Sequence, residues 1–461
     1  MNSINTREIR FSPTIRLWDP NGRVFFHKGE VYRGIYSHRA AFVKKLFSDG
    51  IVNNLMEKNL LVGTYLTDLK LEGFGLVLKH DKIDIDIKPG EWSIVTYIEA
   101  AKQYLILIKE LQKSGLRLID AHHGNFSLFY NGLPVWHDFG SIVEPSKRPY
   151  LRMLTNFMEY YYNPLMYYQK IKSFPIIREF NLNLSNEDYN KMMLTPTKRF
   201  IDKYHTRLPG LILKNDKKSF FMHLLKKLVR NGSFNLNSRS FINIIDAMYS
   251  RIANIKMEDN NNNWANYNQG CKVKPRGNGY SSREAKILSL IKEIAPDKVL
   301  DLGANQGFFS YLANKHCPVV IASDHDFVSV AKHAKRLLGI KEKLKIYPVI
   351  QEVSRMSYDE KRRYKCHTVL ALELTHHLRL GQGYPFHHIA KQFSDLAEHN
   401  LITEYMPNGL GVGEVKPDPL PEDYTLESLL LSLRAYFRSV DVIEYAGNSS
   451  VSPRDLILCR N

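Results

Sequence analysis

The chain has 461 residues, 44% of them hydrophobic, and a formal net charge of +17. That length predicts two or three domains with ordinary globular cores, and the absence of any apolar run of 18 residues excludes an expected membrane span. The start, MNSINTREIRFSPTIRLWDP, lacks the apolar stretch of a signal peptide.

The four cysteines, Cys271, Cys317, Cys366 and Cys459, form no CxxC pair. This argues against a zinc site and for a reducing, cytoplasmic setting, and no metal site is expected from them. The positive balance favours anionic partners: nucleic acid, phosphorylated sugars or an anionic membrane surface. The lysines are scattered, as in Lys44-Lys45, Lys217-Lys218 and Lys226-Lys227, so a solvated basic surface is the plainer reading.

In chain order, residues 1–36 read as short strands, with a hairpin about Lys28-Gly29. Residues 38–60 read as helix, and the run Gly73–Ile85 returns to strand. A strong helix is predicted from Ile98 to Lys113, with Ile98, Ala101, Leu105, Ile108 and Leu111 on one face and Gly115 past its end. Leu116–Ile119 is extended, and Asp120 and Asn125 lie in a loop. Two short strands flank Asn131-Gly132, a hairpin signal, and Asp138-Phe139-Gly140 follows. Residues 150–255 are helical in pattern and rich in aromatics. The polar stretch Glu258–Gly279 reads as a linker, within which Trp264 and Tyr267 are candidates for docking. The expected organisation is a domain over 1–255, a linker over 256–280 and a second domain over 281–461.

The second domain alternates strands and helices. Its first helix is predicted to open on a capping box of Ser281 and Glu284, with Leu288, Ile291 and Ala295 inward. A strand then ends at Asp301 and runs into Gly303-Ala304-Asn305-Gln306-Gly307 before a helix, the arrangement that holds the polar end of a nucleotide-like cofactor. Further strands end at Asp324, near Glu352, near Thr375-His376-His377 and at Glu404. VDVIEYAG and RDLILCRN close the chain as a possible antiparallel hairpin.

DLGANQGFFS resembles motif I of the class I S-adenosylmethionine (SAM) methyltransferases, with Asn305 where that family's middle glycine stands. Together with the segments around Asp120–Asn125, Asp138-Phe139-Gly140, His376-His377 and Glu404, the chain is similar to a bacterial SAM-dependent methyltransferase family that includes the nodulation protein NoeA. There a kinase-like region precedes the methyltransferase domain. The resemblance implies an α/β fold: a Rossmann-like class I sheet with a reversed final hairpin, preceded by a kinase-like α+β domain. It implies SAM as cofactor, with Asp301 and Gly303 at its methionine part, Asn305 and Gly307 in the same loop, Asp324 at the ribose and Glu352 (or Gln351 beside it) at the adenine edge. His376, His377 and Glu404, at the ends of the fourth and fifth strands, are the candidate bases for a hydroxyl acceptor.

Asp120, Asn125 five residues on and Asp138 thirteen further resemble the catalytic loop and DFG segment of kinases, in which ATP and Mg2+ are used. Arg33 or Lys28 is a candidate stand-in for the missing lysine. A scaffold retaining the pattern without turnover is the competing reading. No N/D-P-P-Y motif follows the fourth strand. The favoured acceptor is therefore a hydroxyl on a sugar, polysaccharide precursor or other small molecule, neutral or anionic, positioned by the first domain. A bifunctional kinase–methyltransferase, an RNA methyltransferase and a silent SAM-binding module are the alternatives.

Overall fold

The computed structural model describes residues 3–12, 19–144, 149–174, 184–185, 188, 238–257, 279–410, 419–446 and 453–461. Most of the expected linker, with Trp264 and Tyr267, lies outside the described residues, as does Cys271.

The first domain begins with an antiparallel sheet of five strands. They are β1 (Arg10–Phe11), β2 (Gly22–His27), β3 (Glu30–Ile35), β4 (Thr64–Leu66) and β5 (Leu76–His80), in the order β1-β2-β3-β5-β4. The β2–β3 hairpin turns on Lys28 and Gly29, both at positive φ, which matches the twist of the flanking strands. Between β3 and β4 run two helices, α1 (Ala40–Ser48) and α2 (Ile51–Glu57). The expected single helical stretch is split at Gly50, whose φ of 71° ends one helix before the next.

Helix α3 (Ile94–Lys113) starts four residues earlier than its periodicity suggested, because Ser93 caps it by accepting from the Thr96 amide at 3.1 Å. It stops where Gly115 takes a φ of 68° and the Leu116 amide returns to the Leu111 carbonyl at 2.9 Å. Its buried residues include Tyr97, Ala101, Tyr104, Leu105, Ile108 and Leu111. Each large one adds roughly 1.5–3 kcal/mol of burial. Strand β6 (Arg117–Leu118), the hairpin of β7 (Phe126–Leu128) and β8 (Pro134–Trp136), and β9 (Ile142–Val143) follow; β9 pairs with β6. Helices α4 (Pro149–Phe157), α5 (Asn163–Ile171) and α6 (Ser238–Ala253) complete the described part of the domain.

The second domain is a mixed α/β, Rossmann-like unit built on a seven-stranded sheet. Its elements are α7 (Ser282–Ile294), β10 (Lys298–Leu302), α8 (Phe308–Asn314), β11 (Val319–Asp324), α9 (Phe327–Leu338), β12 (Ile346–Ile350), α10 (Tyr358–Tyr364), β13 (Cys366–Ala371), α11 (Phe386–Leu396), β14 (Ala397–Tyr405), α12 (Leu426–Arg434), β15 (Ser439–Ile443) and β16 (Asp455–Arg460). The strand order is β12-β11-β10-β13-β14-β16-β15. The first five are mutually parallel, and β16 runs antiparallel to β14 and to β15. Every residue of β11 and β12 is buried, the continuous apolar pattern of strands covered on both faces. The Ser281/Glu284 capping box forms, but α7 buries Ile287, Leu290 and Ile291 rather than Leu288 and Ala295. Ala295 is the left-handed residue that ends the helix, at φ 47°. Strand β13 ends at Ala371, earlier than expected, because Glu373 turns the chain with a φ of 54°.

The two domains share one apolar core. Polar contacts gather at the amino ends of the second-domain strands. The Asp84 carboxylate accepts from the Tyr347 hydroxyl at 2.6 Å and the Lys345 ammonium at 3.1 Å, and the Asp84 carbonyl accepts from Lys298 at 3.0 Å. Arg363 donates to both oxygens of the buried Glu91, at 2.6 and 2.7 Å. The β7–β8 hairpin tip covers the edge strand β12: Asn131 and Leu344 exchange two hydrogen bonds, and Gly132 approaches Pro348 so closely that a Cβ would stand 3.3 Å from its ring. Pro348 is tolerated because β12 pairs on one side only.

Arg363→Met should leave Glu91 as a buried carboxylate without its guanidinium. A loss on the order of 3–5 kcal/mol is expected, with most of it recovered in Arg363→Met/Glu91→Leu. Thermal melts of the two variants test this, and an unchanged single-variant melting temperature would show that the pair does not bind the domains.

Candidate active site

The chain leaves β10 for β11 and β12 on one side and returns to β13 on the other. Neighbouring loops after β10 and β13 therefore diverge, opening the crevice at which parallel α/β sheets bind ligands. On the β10 side, Gly303, Asn305 and Gly307 all adopt left-handed backbone, at φ of 70°, 50° and 82°. Asparagine is among the few side chains that tolerate this conformation, which accounts for Asn305 in a glycine's place. Gly307 is needed for space as well, since a Cβ there would fall on the His333 ring.

Two acidic side chains, Asp301 and Asp324, border this loop, and a third, Glu352, follows the end of β12. Asp301 is buried and accepts a hydrogen bond from the Ser310 hydroxyl at 2.6 Å. Burial pushes its carboxyl up to about 7, against the pull of Ser310 and with a further push from Asp324. Asp324 accepts from the Asn305 amide at 2.7 Å and the Asp326 amide at 2.8 Å. Burial raises its pKa also, and these amides oppose the rise. Glu352 lies past β12, where it accepts from the Ser354 hydroxyl at 3.0 Å, and from Gln382 at 3.4 Å. The neighbouring Gln351 sends its side chain to Glu360 instead.

On the β13 side, Leu374 packs against Gly303, 3.5 Å from where a Cβ would be. The two histidines follow, with ring centroids 4.0 Å apart. His376 is buried and its Nδ1 has no hydrogen-bond partner. Burial, then the neighbouring His377 and Arg454, pull its pKa down to about 3. His377 is half-buried; burial lowers its pKa, and the Glu373 carboxylate partly offsets this. Thr375 and Thr403 share a hydroxyl contact at 3.1 Å beneath the pair.

Glu404 sits in β14, fully buried, in a network that sequence reading missed. Arg283, from the first turn of α7, donates to both of its oxygens at 2.6 and 2.7 Å. The Glu373 amide donates to it at 3.2 Å. Glu373 in turn pairs with Arg283 and with Arg454. Burial opposes the charge on Arg283, but Glu404 outweighs it and the guanidinium pKa rises. No signal in the sequence joins positions so far apart. His325, which stands 3.4 Å from Asp324, was also missed.

The first-domain residues form a second cluster. Asn125 is buried, and its amide donates to the Asp120 carbonyl at 2.7 Å. Asp120 itself has a φ of 49°. The Asp138 carboxylate faces Arg33 at 3.3 Å, and Arg33 also pairs with Asp19. Lys28, the other proposed stand-in for a lysine, is in the exposed turn of the β2–β3 hairpin. Among the described residues no group of three His, Cys, Asp or Glu side chains is arranged to hold a metal ion, and no helix is long and apolar enough to cross a membrane.

No family model and no curated protein matches the chain. Among solved structures it is similar to magnesium protoporphyrin IX methyltransferase from Synechocystis PCC 6803, at 14% identity and a TM-score of 0.30, over 39% of this chain and 83% of that one. N-methyltransferase NodS from Bradyrhizobium japonicum WM9 gives 13% identity and a TM-score of 0.30, over 39% and 94%. The bifunctional kinase-methyltransferase WbdD gives 19% and 0.30, over 43% and 45%. At such scores the site rests on strand order and side chains, not on these likenesses.

Arg283→Met should strand Glu404 in the core and release the Glu373 turn that carries the histidines. The expected loss is about 3–5 kcal/mol, and histidine side-chain NMR shifts at positions 376 and 377 should move. Unmoved shifts in a folded variant would mean that the network does not hold the pair.

Proposed function

We propose that the second domain is a SAM-dependent methyltransferase. The reading is carried by one observation: a left-handed glycine loop at the switch point between β10 and β13, bordered by Asp301 and Asp324. Five parallel strands followed by two antiparallel ones also support it. The donor set fits the ligand. Two carboxylates at a glycine turn, with a third at the end of β12, suit a molecule carrying an ammonium, a sulfonium and a ribose diol. Asp301 and Gly303 would hold the methionine part, with Asn305 and Gly307 shaping the loop. Asp324 would take the ribose through lone pairs its two amide donors leave free, and Glu352 the adenine edge. When bound, SAM supplies the electrophilic methyl group.

The chain's own part is alignment, exclusion of water and, for a hydroxyl acceptor, removal of a proton. Of the three candidate bases we assign that role to His377. His376, with a pKa near 3, is too weak a base at neutral pH. Glu404 has both oxygens tied to Arg283 and serves as an anchor. The acceptor class favoured remains a hydroxyl on a sugar, polysaccharide precursor or other small molecule. The polar docking contacts lie at the amino ends of the strands, away from the crevice. This argues for the first domain as a support rather than as the wall of the acceptor pocket.

One observation favours a second reading, a kinase-like first domain. Its sheet places two helices between the third and fourth strands, and the third strand carries Arg33 opposite Asp138, where kinases carry a phosphate-binding lysine and a metal-binding aspartate. ATP and Mg2+ belong to that reading.

Asp301 must be ionised to bind an ammonium. Its raised pKa gives the folded state more protons than the unfolded one between about 4 and 7, so apo stability should fall as pH rises through that window. Affinity for SAM should move the opposite way, weakening about tenfold from pH 8 to pH 6. Asp301→Asn should lose SAM binding and flatten the stability profile. Calorimetric titration with SAM and thermal melts across pH check both, and undiminished SAM binding by Asp301→Asn would overturn the assignment.

A further inference from the structure

We propose that Asp19 occupies the phosphate position of the first-domain cleft, holding Arg33 in place of an incoming phosphate group. A nucleotide polyphosphate must displace it to bind. The inference rests on the kinase-like reading for the identity of the ligand, but on geometry alone for the latch.

Arg33 is 4% exposed and lies between two carboxylates, Asp19 and Asp138. A guanidinium in such a place is a ready receptor for a phosphate. Asp19 is aimed at it by its own turn: one of its oxygens accepts from the Asn21 and Gly22 amides at 3.1 and 3.2 Å, leaving the other for Arg33. Asn21, fully buried, then fastens this turn to the Asp138-Phe139-Gly140 segment. Its amide donates to the carbonyls of Gly140 at 3.0 Å and Ile142 at 2.8 Å, and Arg39 donates to its side-chain oxygen at 2.9 Å. The pair packs so closely on Gly140 that a Cβ there would fall on the Arg33 guanidinium and the Asp19 carboxylate.

A second feature points into the same place. His80, at the end of β5, is 5% exposed, and its Nε2 has no hydrogen-bond partner among the described residues. Its ring lies 6.2 Å from that of Phe139 at a tilt of 49°, and Arg33 and His137 both act on its charge. Among the described residues, the cleft brings the Arg33 guanidinium together with the carboxylates of Asp19 and Asp138 and with the His80 imidazole. Binding of a magnesium polyphosphate needs two exchanges together. The metal takes Asp138 from Arg33, and a phosphate takes Arg33 from Asp19. Removing the Asp19 charge should ease the second exchange without touching the residues that meet the metal.

The test is calorimetric titration of the full chain, wild type, Asp19→Asn and Arg33→Met, with ATP plus magnesium, ATP with EDTA, and tripolyphosphate. Melts by circular dichroism establish that each variant is folded. Asp19→Asn should bind ATP–magnesium about tenfold tighter than wild type, and Arg33→Met should lose that binding. A gain for tripolyphosphate equal to the gain for ATP would keep the latch and reject the nucleotide reading. Equal affinities of wild type and Asp19→Asn for all three ligands, whether tight or absent, would overturn the latch. Should Asp19→Asn not fold, Asp19→Glu in its place should bind ATP–magnesium differently from wild type, and identical binding would have the same overturning force.

Discussion

The parallel pairing of β10 with β13 decides where the rest of the second domain can lie. Asp301 stands opposite Leu370 in that ladder, with Val299 opposite Thr368 and Leu300 opposite Val369. Both strands are covered on both faces, so a slip of one residue would exchange the side chains packed into the two layers, and packing fixes the register. With the register fixed, the Gly303 turn must emerge beside Leu374, and the histidines must rise next to the glycine loop. The loops separate because the chain leaves β10 toward β11 and leaves β13 toward β14, in opposite directions. The crevice is a product of strand order before any side chain is chosen.

Three buried carboxylates at this end of the sheet are treated differently, and the difference separates anchoring from binding. Glu404 meets a guanidinium bidentately, so its charge is neutralised in place. Asp324 is held by two backbone amides. Asp301 is met by the hydroxyl and the backbone amide of Ser310, and burial still drives its pKa to about 7. Desolvation without a cation is an unmet demand. Of the three, Asp301 therefore has the most to gain from a cationic ligand. The Glu404 pair is costly to desolvate and is not explained by stability alone. It makes sense as a fixed point, since the same carboxylate receives the amide of Glu373, whose left-handed backbone directs the chain into His376 and His377.

What was legible in the sequence was what local chemistry writes. Lys28-Gly29, Asn131-Gly132, Gly115 and the Ser281/Glu284 pair each needed only their neighbours, and each is found as read. The strands of the second-domain sheet were visible as apolar runs. The end of β13 was not, because Leu372 and Leu374 carry the apolar pattern past the turn at Glu373, and hydrophobic pattern is blind to a positive φ. The inward face of α7 was misread for a similar reason: Ala295 belongs to the cap. Arg283, Glu373 and Arg454 gained meaning only when folding brought three distant segments to Glu404. Asp19 and Arg33 are the same case in the first domain.

The fusion of the two domains has a physical rationale independent of any turnover in the first. Strand β12 is an edge, and an open edge invites unwanted pairing. Here the tip of the β7–β8 hairpin closes it, through Asn131 to Leu344 and Gly132 to Pro348. The hairpin also joins Asn125 to Asp138, so the segment that shapes the first-domain cleft protects the second-domain sheet. Selection for the sheet's integrity would thus keep the first-domain frame in place even with Arg33 held by Asp19. Aromatic contacts continue from the frame toward the crevice: Phe174 meets Tyr97 at 6.5 Å and Phe327 at 6.2 Å, and Phe327 begins the helix just after Asp324. Such adjacency is not coupling, which requires an element with two arrangements that both sites bias. The Asp19–Arg33–Asp138 cluster is the described element best suited to have two, because one guanidinium there is shared between two carboxylates, with which a phosphate would compete.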